Sequence, residues 1–411
     1  MTDLTLNAKT ETHSLQPLGT QTQEPQKTAK TVVALVIPSL CYGGAERQVV
    51  EIARHLDRSR FEVHIITLSD YTPLLPESDE LRKSLHVIKK RGRFDFTVIW
   101  RLARELKRLN VEVAHAFLFY AEVATRLAAR MVGVKPVIGS ERNTDYKMAW
   151  YHWRSLHLTR NLVDAVIANS RAGARFHGNL YGLPDSLYQV VYNGVDIQRF
   201  RPRDKAACKM PLGFDKETIV IGMFASFKRQ KNHLQLFMAM ENIAKKYPNA
   251  YLLLAGDTLM ADYGDTLEYK RQVMEVMKEC GIESITKILG NRTDVEMLYP
   301  ACDFTVLPSY REGTPNVVLE SLACGVPVVV TDISDNAHLV TDGEEGYVVP
   351  PNDVVALSSR LEAMCESAEL RKTMARNARQ TAEQRLSTQV MSANIASAYE
   401  SIIAQCAGTR R

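Results

Sequence analysis

Short runs of β-branched residues alternate along this chain with longer amphipathic stretches, and the alternation comes in two blocks. A brief apolar run bounded by turn residues reads as a buried strand, and apolar positions recurring every three or four residues read as helix. In the first block the pattern predicts strands over 32–39, 63–68, 111–117, 136–140, 165–169 and 189–192, with helices such as 45–56 and 98–109 between them. The Asn193-Gly194-Val195-Asp196 turn and Phe200-Arg201-Pro202 then interrupt it, as a linker does. A second block predicts strands over 219–224, 251–255, 286–289, 304–308, 327–331 and 347–349, followed by a helical region from about Val354. Alternation of this kind builds parallel sheets with helices on both faces. The expected fold class is therefore α/β, two Rossmann-like doubly wound domains facing a central cleft. Such sheets bind ligands outside the carboxyl ends of their strands, so motifs that follow strands carry the most weight.

Composition adds bounds. With 411 residues, 45% apolar and 24% charged, the chain has the balance of a globular protein and is too long for one core. It contains no run of roughly 18 apolar residues of the kind that crosses a bilayer. Residues 1–30 are rich in Thr, Gln and Lys and lack the apolar stretch of a secretory signal, so they read as a disordered tail. Seven scattered cysteines without a C-x-x-C pair argue against a zinc site or disulfide framework and for a reducing cytosol. The net charge of +4 hides an asymmetry: residues 81–175 hold 19 Lys or Arg against 7 Asp or Glu, and the remainder is net acidic.

The predicted strand 304–308 runs into Ser309-Tyr310-Arg311-Glu312-Gly313-Thr314-Pro315-Asn316, and 317–324 reads as a helix. Glycine and proline at that junction leave backbone N–H groups open at a helix start, an anion site that suits a diphosphate. Glu312 lies in the loop and Glu320 one to two turns into the helix; carboxylates accept hydrogen bonds from paired hydroxyls, which a sugar and a ribose both offer. Standing alone, the same residues would also read as a capping carboxylate and a solvated helix position. Ala323-Cys324-Gly325-Val326-Pro327-Val328 follows, a helix stop and a new buried strand.

Glu312 and Glu320 spaced by seven residues, with Gly313, Pro315 and Asn316 between them, Ala323-Cys324-Gly325-x-Pro327-Val328 after them and Gly346-x-Val348-Val349-Pro350 further on, resemble the family-4 retaining glycosyltransferases of GT-B fold. The resemblance spans residues 31 to 400 and is strongest in the second half. It implies an acceptor domain at 31–200, a nucleotide-sugar domain at 201–385 and a C-terminal helix at 386–411 packing back on the first domain. Glu312 would then hold hydroxyls of the donor sugar, Gly313, Thr314, Pro315, Asn316 and Val317 would meet the sugar and phosphate, and Glu320 would hold the ribose. Gly290 and Asn291, after the strand 286–289, join the donor-binding set.

Family members commonly read Gly-Arg-Leu-x-x-x-Lys after the first strand of the second domain, where this chain reads Ala225-Ser226-Phe227-Lys228-Arg229-Gln230-Lys231. Lys231 matches the lysine, Ser226 stands in the arginine's place, and Lys228 or, preferred, Arg229 is its expected substitute. The chemistry asks for cations because a departing nucleoside diphosphate develops negative charge; a merely solvated basic loop is the other reading. The paired Gly43 and Gly44 in Ser39-Leu40-Cys41-Tyr42-Gly43-Gly44-Ala45 allow close approach of a substrate, although a tight turn also explains them. The family has a Gly-Gly loop here that contacts donor phosphate or acceptor. After strand 136–140, where many relatives carry a histidine near the reacting sugar, this chain has Glu141-Arg142-Asn143; Glu141 and Arg142 are candidates for that place. His115, at the end of an apolar strand, reads as structural before it reads as catalytic.

Residues 89–109 form a basic segment leading into a basic amphipathic helix with Trp100, a pattern found both on anionic lipid and on plain solvated faces. No recognised nucleic-acid motif accompanies the charge. No D-x-D pair stands near a strand end, so no metal clamp and no cofactor are expected, only a nucleoside-diphosphate sugar as co-substrate. The expected reaction is transfer of the sugar to a hydroxyl acceptor, lipid-linked or a polysaccharide or glycolipid precursor, in the cytoplasm or on the inner face of the membrane. A noncatalytic nucleotide-sugar or glycolipid-binding subunit and a nucleotide-sugar epimerase are the alternatives on the same fold.

Overall fold

The computed structural model describes residues 29–92, 95–142, 150–258 and 263–408. Expectations for residues 1–28, for Arg93 and for Asn143 fall outside them.

Seven parallel strands form the first sheet: β1 (Thr31–Ile37), β2 (Phe61–Thr67), β3 (Leu85–Val87), β4 (Val113–Ala116), β5 (Val137–Glu141), β6 (Ala165–Ala168) and β7 (Tyr188–Val190), in the spatial order 3-2-1-4-5-6-7. Six more form the second: β8 (Ile219–Phe224), β9 (Ala250–Ala255), β10 (Thr286–Ile288), β11 (Phe304–Leu307), β12 (Val328–Thr331) and β13 (Gly346–Val349), in the order 10-9-8-11-12-13. The central strands are apolar at nearly every position because helices cover both faces; β8 and β11 are buried throughout. Each sheet accordingly has one apolar cluster on either side. The pattern reading missed β3. Its three residues, Leu85-His86-Val87, pair on one side only and are not buried, so no apolar run marks them.

Chain order reverses beside β1 in the first sheet and beside β8 in the second. A crevice opens at each such switch point, and the loops leaving the carboxyl ends of the neighbouring strands line it. The domains are joined twice. Val195 pairs with Ser387, its N–H donating to the Leu386 carbonyl at 2.8 Å and its own carbonyl accepting from Thr388 at 3.0 Å. The helix Thr388–Gly408 then returns to the first domain, where Met391, Ile395, Tyr399 and Ile402 are buried with Val33, Leu35 and Val113.

Candidate active site

Loops from both sheets enclose a cleft of about 580 Å³. From the first domain come Gly43, Gly44 and Arg47 after β1, Leu118 after β4, Arg142 after β5, Asn169 after β6 and Asn193 after β7. The second contributes Ser226, Lys228 and Lys231 after β8, Gly256 after β9, Asn291 and Arg292 after β10, and the segment from Glu312 to Glu320 after β11.

Two helices point their starts into this space. Gly43 precedes the helix Gly44–His55 and Pro315 precedes the helix Asn316–Ala323, and no side chain caps either. Open N–H groups and the helix dipole make both ends electropositive. The Glu46 carboxylate folds back against Gly43, so a Cβ there would fall 2.0 Å from Glu46 Oε2 and this side chain would have to move.

At the centre, Lys231 Nζ donates to Glu312 Oε1 at 2.6 Å, and Ser309 Oγ donates to the same oxygen at 2.7 Å. Lys231 is placed by a short helical turn, Arg229–Lys231, which ends at Asn232 in the left-handed region (φ 54°); Asn232 then caps the helix His233–Lys246 through Gln235 N–H. Ser334 Oγ donates to the Glu312 carbonyl, which fixes the loop from below. One turn into its helix, Glu320 accepts from Tyr299 Oη at 2.7 Å and from Arg47 Nη1 at 3.2 Å. Burial pushes the Glu320 carboxyl above its usual range, while Arg47 and Tyr299 pull it back.

The domains also meet directly around the loop at 313–316. Asn316 Oδ1 accepts from Asn193 Nδ2 at 2.8 Å and from Gln48 Nε2 at 3.2 Å, and its Nδ2 faces the Gly44 carbonyl at 3.4 Å. Thr314 Oγ1 donates to the Asn169 carbonyl. Gly313 lies so close to the first domain that a Cβ would sit 2.6 Å from Asn169 Oδ1 and 2.9 Å from the Arg142 carbonyl oxygen.

Several candidates lie elsewhere. Arg229 does not line the cleft: its guanidinium sits over the Tyr269 ring and donates to Gln272 at 2.9 Å, on the outer side of the loop, whereas Lys228 lines the cleft. Gly290 is one step removed, its carbonyl accepting from Gly256 N–H, while Asn291 reaches the cleft. Glu141 is fully buried at the end of β5, 3.8 Å from His177 Nε2. His115 is buried within the first domain, between Tyr399 Oη at 2.8 Å and Ser140 Oγ at 2.7 Å, and burial holds its imidazole neutral. Its role is to tie β4 to the C-terminal helix. Arg47, Asn169, Asn193 and Tyr299 were not marked by any motif; the helix predicted over 45–56 was the sole signal for Arg47.

The chain matches the family model described as "Glycosyl transferases group 1" over residues 204–381 and that described as "Glycosyltransferase Family 4" over residues 42–199. It is 28% identical over 223 residues to a D-inositol 3-phosphate glycosyltransferase of Saccharomonospora viridis, which covers 54% of this chain and 52% of the relative, so the match spans about half that protein's length. It is 25% identical over 358 residues to the UDP-Gal:alpha-D-GlcNAc-diphosphoundecaprenol alpha-1,3-galactosyltransferase of Escherichia coli, covering 82% of this chain and 88% of that one. Among solved structures, Anabaena HepE in complex with UDP superposes with a TM-score of 0.78 at 22% identity, over 90% of this chain and all of that one, a likeness of fold. Two family models that between them run from the first glycine loop to the end of the second domain, on two parallel-sheet domains, place the chain in the family-4 glycosyltransferases of GT-B fold.

Proposed function

We propose that the protein transfers a sugar from a nucleoside-diphosphate sugar to a hydroxyl acceptor with retention of configuration, and that this acceptor is lipid-linked. The observation that carries the reading is the Lys231–Glu312 pair, set between two uncapped helix starts in an interdomain cleft. In this reading Glu320 takes the ribose hydroxyls and Glu312 those of the donor sugar. Lys228, Lys231 and the helix start at Asn316 neutralise the diphosphate, with no resident cofactor or metal. The acceptor oxygen attacks C1 from the face that the diphosphate leaves. The C1–O bond to phosphate breaks as the new C1–O bond forms, and the acceptor proton passes to the departing phosphate oxygen. Charge on that oxygen is met by donors already in position, which is where electrostatic catalysis is most effective.

The relatives support the donor class: one is a UDP-Gal-dependent galactosyltransferase by name, and one was solved with UDP. Support for a lipid-linked acceptor comes from the first domain's surface. The helices Thr97–Arg108, Phe119–Val132 and Trp150–Thr159 pack side by side. Phe96, Trp100, Trp150 and Leu158 are 76%, 62%, 74% and 71% exposed, a density of large apolar side chains that water alone does not favour. Cations flank them: Lys90 lies over the Tyr120 ring at 4.6 Å and Arg104 over Trp100 at 5.3 Å. Aromatics with cations beside them suit the headgroup layer of an anionic membrane, and Lys90, Trp100 and Arg104 of the basic segment belong to this group. No helix among the described residues is long and apolar enough to cross a bilayer.

The test begins with a thermal-shift screen of nucleotide sugars, since a ligand of the native state raises its stability. Transfer to polar-lipid extract is then followed by product mass, before and after Glu312→Ala and Lys231→Ala, and the anomeric proton coupling reports configuration. A wild type that turns over no nucleotide sugar with any extract sinks the enzyme reading and leaves the binding subunit. A product isomeric with the donor favours the epimerase.

A further inference from the structure

Of the cations that line the cleft, Arg47 meets Glu320, Lys231 meets Glu312, and Arg292 meets Asp294 at 2.6 Å. Arg142 differs from these three. Its Nη1 donates to a neutral group, the Asn193 side-chain oxygen, at 3.2 Å, and its plane lies over the Phe117 ring at 5.0 Å. Nε and Nη2, the two nitrogens of the guanidinium's side-on fork, are buried and reach no acceptor among the described residues. Asn169 Oδ1, on the next loop, is likewise buried with no donor among the described residues. Arg142 and Asn169 both line the cleft. The Arg142 carbonyl and the Asn169 side chain lie against Gly313, and the Arg142 guanidinium reaches Asn193, which donates to the Thr314 carbonyl at 3.0 Å, so the unfilled fork and the unfilled amide oxygen belong to neighbouring loops on the first-domain wall facing residues 313–316.

A buried donor or acceptor without a partner is costly, and more so when it is charged. The side-on fork of arginine matches two oxygens of a phosphate or carboxylate. A lone amide oxygen matches a hydroxyl. On the second domain Lys228 and Lys231 already provide for the diphosphate of the donor, so an anion held by Arg142 belongs to the other substrate.

We infer that Arg142 and Asn169 form a subsite for an acceptor that carries an anionic group, a phosphate ester foremost, next to a hydroxyl; this rests on the transferase reading above. The anion takes the Nε and Nη2 edge, the neighbouring hydroxyl donates to Asn169 Oδ1, and the reacting hydroxyl is thereby held at Gly313. The fork is buried in this closed arrangement, so in this reading the anion enters before the domains close. Closure then traps it, and Asn193, which bonds Arg142 on one side and Asn316 on the other, couples loading of this subsite to seating of the donor-type loop.

The test uses the full chain saturated with UDP, so that the diphosphate position is filled, and titrates glycerol 3-phosphate against glycerol. Glycerol 3-phosphate should bind at least tenfold more tightly than glycerol. Arg142→Gln should erase that preference while leaving UDP affinity within twofold, Arg142→Lys should keep part of it, and Asn169→Ala should weaken glycerol 3-phosphate binding severalfold. Wild-type protein with no preference for the phosphate overturns the subsite even if the variants do not fold, and so does a preference that survives Arg142→Gln. Failure of UDP to bind any form counts against the donor reading instead; the subsite is then judged by whether phosphate binding is lost in Arg142→Gln and kept in Lys231→Ala. Repeating the titration with the single-chain acyl ester of glycerol 3-phosphate identifies the source: tighter binding points to a lipid phosphate and equal binding to a soluble one, and either upholds the subsite.

Discussion

Lys231 Nζ and Glu312 Oε1 are joined at 2.6 Å, although 81 residues separate them and they come from different βα loops of the second domain. The pair leaves the cation aimed at the cleft and the carboxylate fixed by Ser309 as well, so loss of Lys231 does not strand Glu312. Lys231→Ala should therefore lower the transfer rate about 10²–10³-fold, the usual loss when one donor to developing charge is removed. Its melting temperature should move only a few degrees. Glu312→Ala should be worse for stability, because a mostly buried ammonium then loses its carboxylate. A Lys231→Ala protein within threefold of wild-type turnover would show that leaving-group charge is met elsewhere.

Gly313 gives a test of domain contact. Its φ is ordinary, and what excludes a side chain is distance: a Cβ would meet Asn169 Oδ1 at 2.6 Å and the Arg142 carbonyl oxygen at 2.9 Å, both across the domain boundary. Gly313→Ala should leave each domain folded but hold them apart, cutting activity more than tenfold and raising the radius of gyration measured by X-ray scattering. If scattering is unchanged and activity falls, the glycine serves the donor alone.

Glu320 and Arg47 predict a pH effect. Burial raises the Glu320 carboxyl and Arg47 offsets part of that rise. Only the ionised carboxylate accepts from both ribose hydroxyls, so without Arg47 the group should stay protonated to higher pH. Arg47→Ala should raise donor KM more at pH 6 than at pH 8, relative to wild type. A ratio of KM values that does not depend on pH would mean that Glu320 does not hold the ribose in ionised form.

Much of this was legible in the sequence where apolar runs are continuous and motifs are local. β8 and β11 are buried on both faces, so all their residues but Gly222 and Thr305 are large and apolar, and the segment from Glu312 to Glu320 lies in one loop and one helix. Pairings between distant segments were not legible. Arg229 and Lys228 are neighbours in sequence, and the turn of backbone that sends one to Tyr269 and the other to the cleft is set by the 3₁₀ segment Arg229–Lys231. Arg47 reads as one more charge on an amphipathic helix, and only closure of the domains brings it to Glu320, 273 residues away. His115 and Tyr399 show the same limit, since no periodicity tells that a C-terminal helix supplies the partner of a strand in the first domain.

Three buried histidines predict acid sensitivity. Burial lowers His177 and His233 to about 3, with Arg126 and Lys231 adding to the effect, and holds His115 well below its usual value. All three are neutral in the folded protein, but in the unfolded chain each gains a proton below about pH 6.5. The unfolded state then binds more protons, so stability is intact above pH 6.5 and falls as pH drops from there toward the folded values, by up to about 1.4 kcal/mol per pH unit for each histidine. His115 and His177 lie in the first domain and His233 in the second. Since Trp100, Trp150 and Trp153 are all in the first domain, tryptophan fluorescence reports its urea midpoint. That midpoint should fall steadily from pH 6.5 to 5, and less steeply in His177→Gln. A flat midpoint across this range would contradict neutral burial.

The membrane reading turns on side chains that contribute nothing to the cleft. Trp100 and Trp150 lie on separate helices, and neither packs in the core. Replacing both with Ser should leave the melting temperature and nucleotide binding unchanged, while removing apolar surface that a bilayer would bury at about 25 cal/mol per Å². Flotation with vesicles containing phosphatidylglycerol should retain the wild type at low salt and lose most of the double variant. Raising the ionic strength should weaken the remainder, because Lys90, Arg91, Arg104 and Lys107 act through screened charge. Equal flotation of both proteins, or none with the wild type, would reduce this face to solvated surface and leave a soluble acceptor as the better reading.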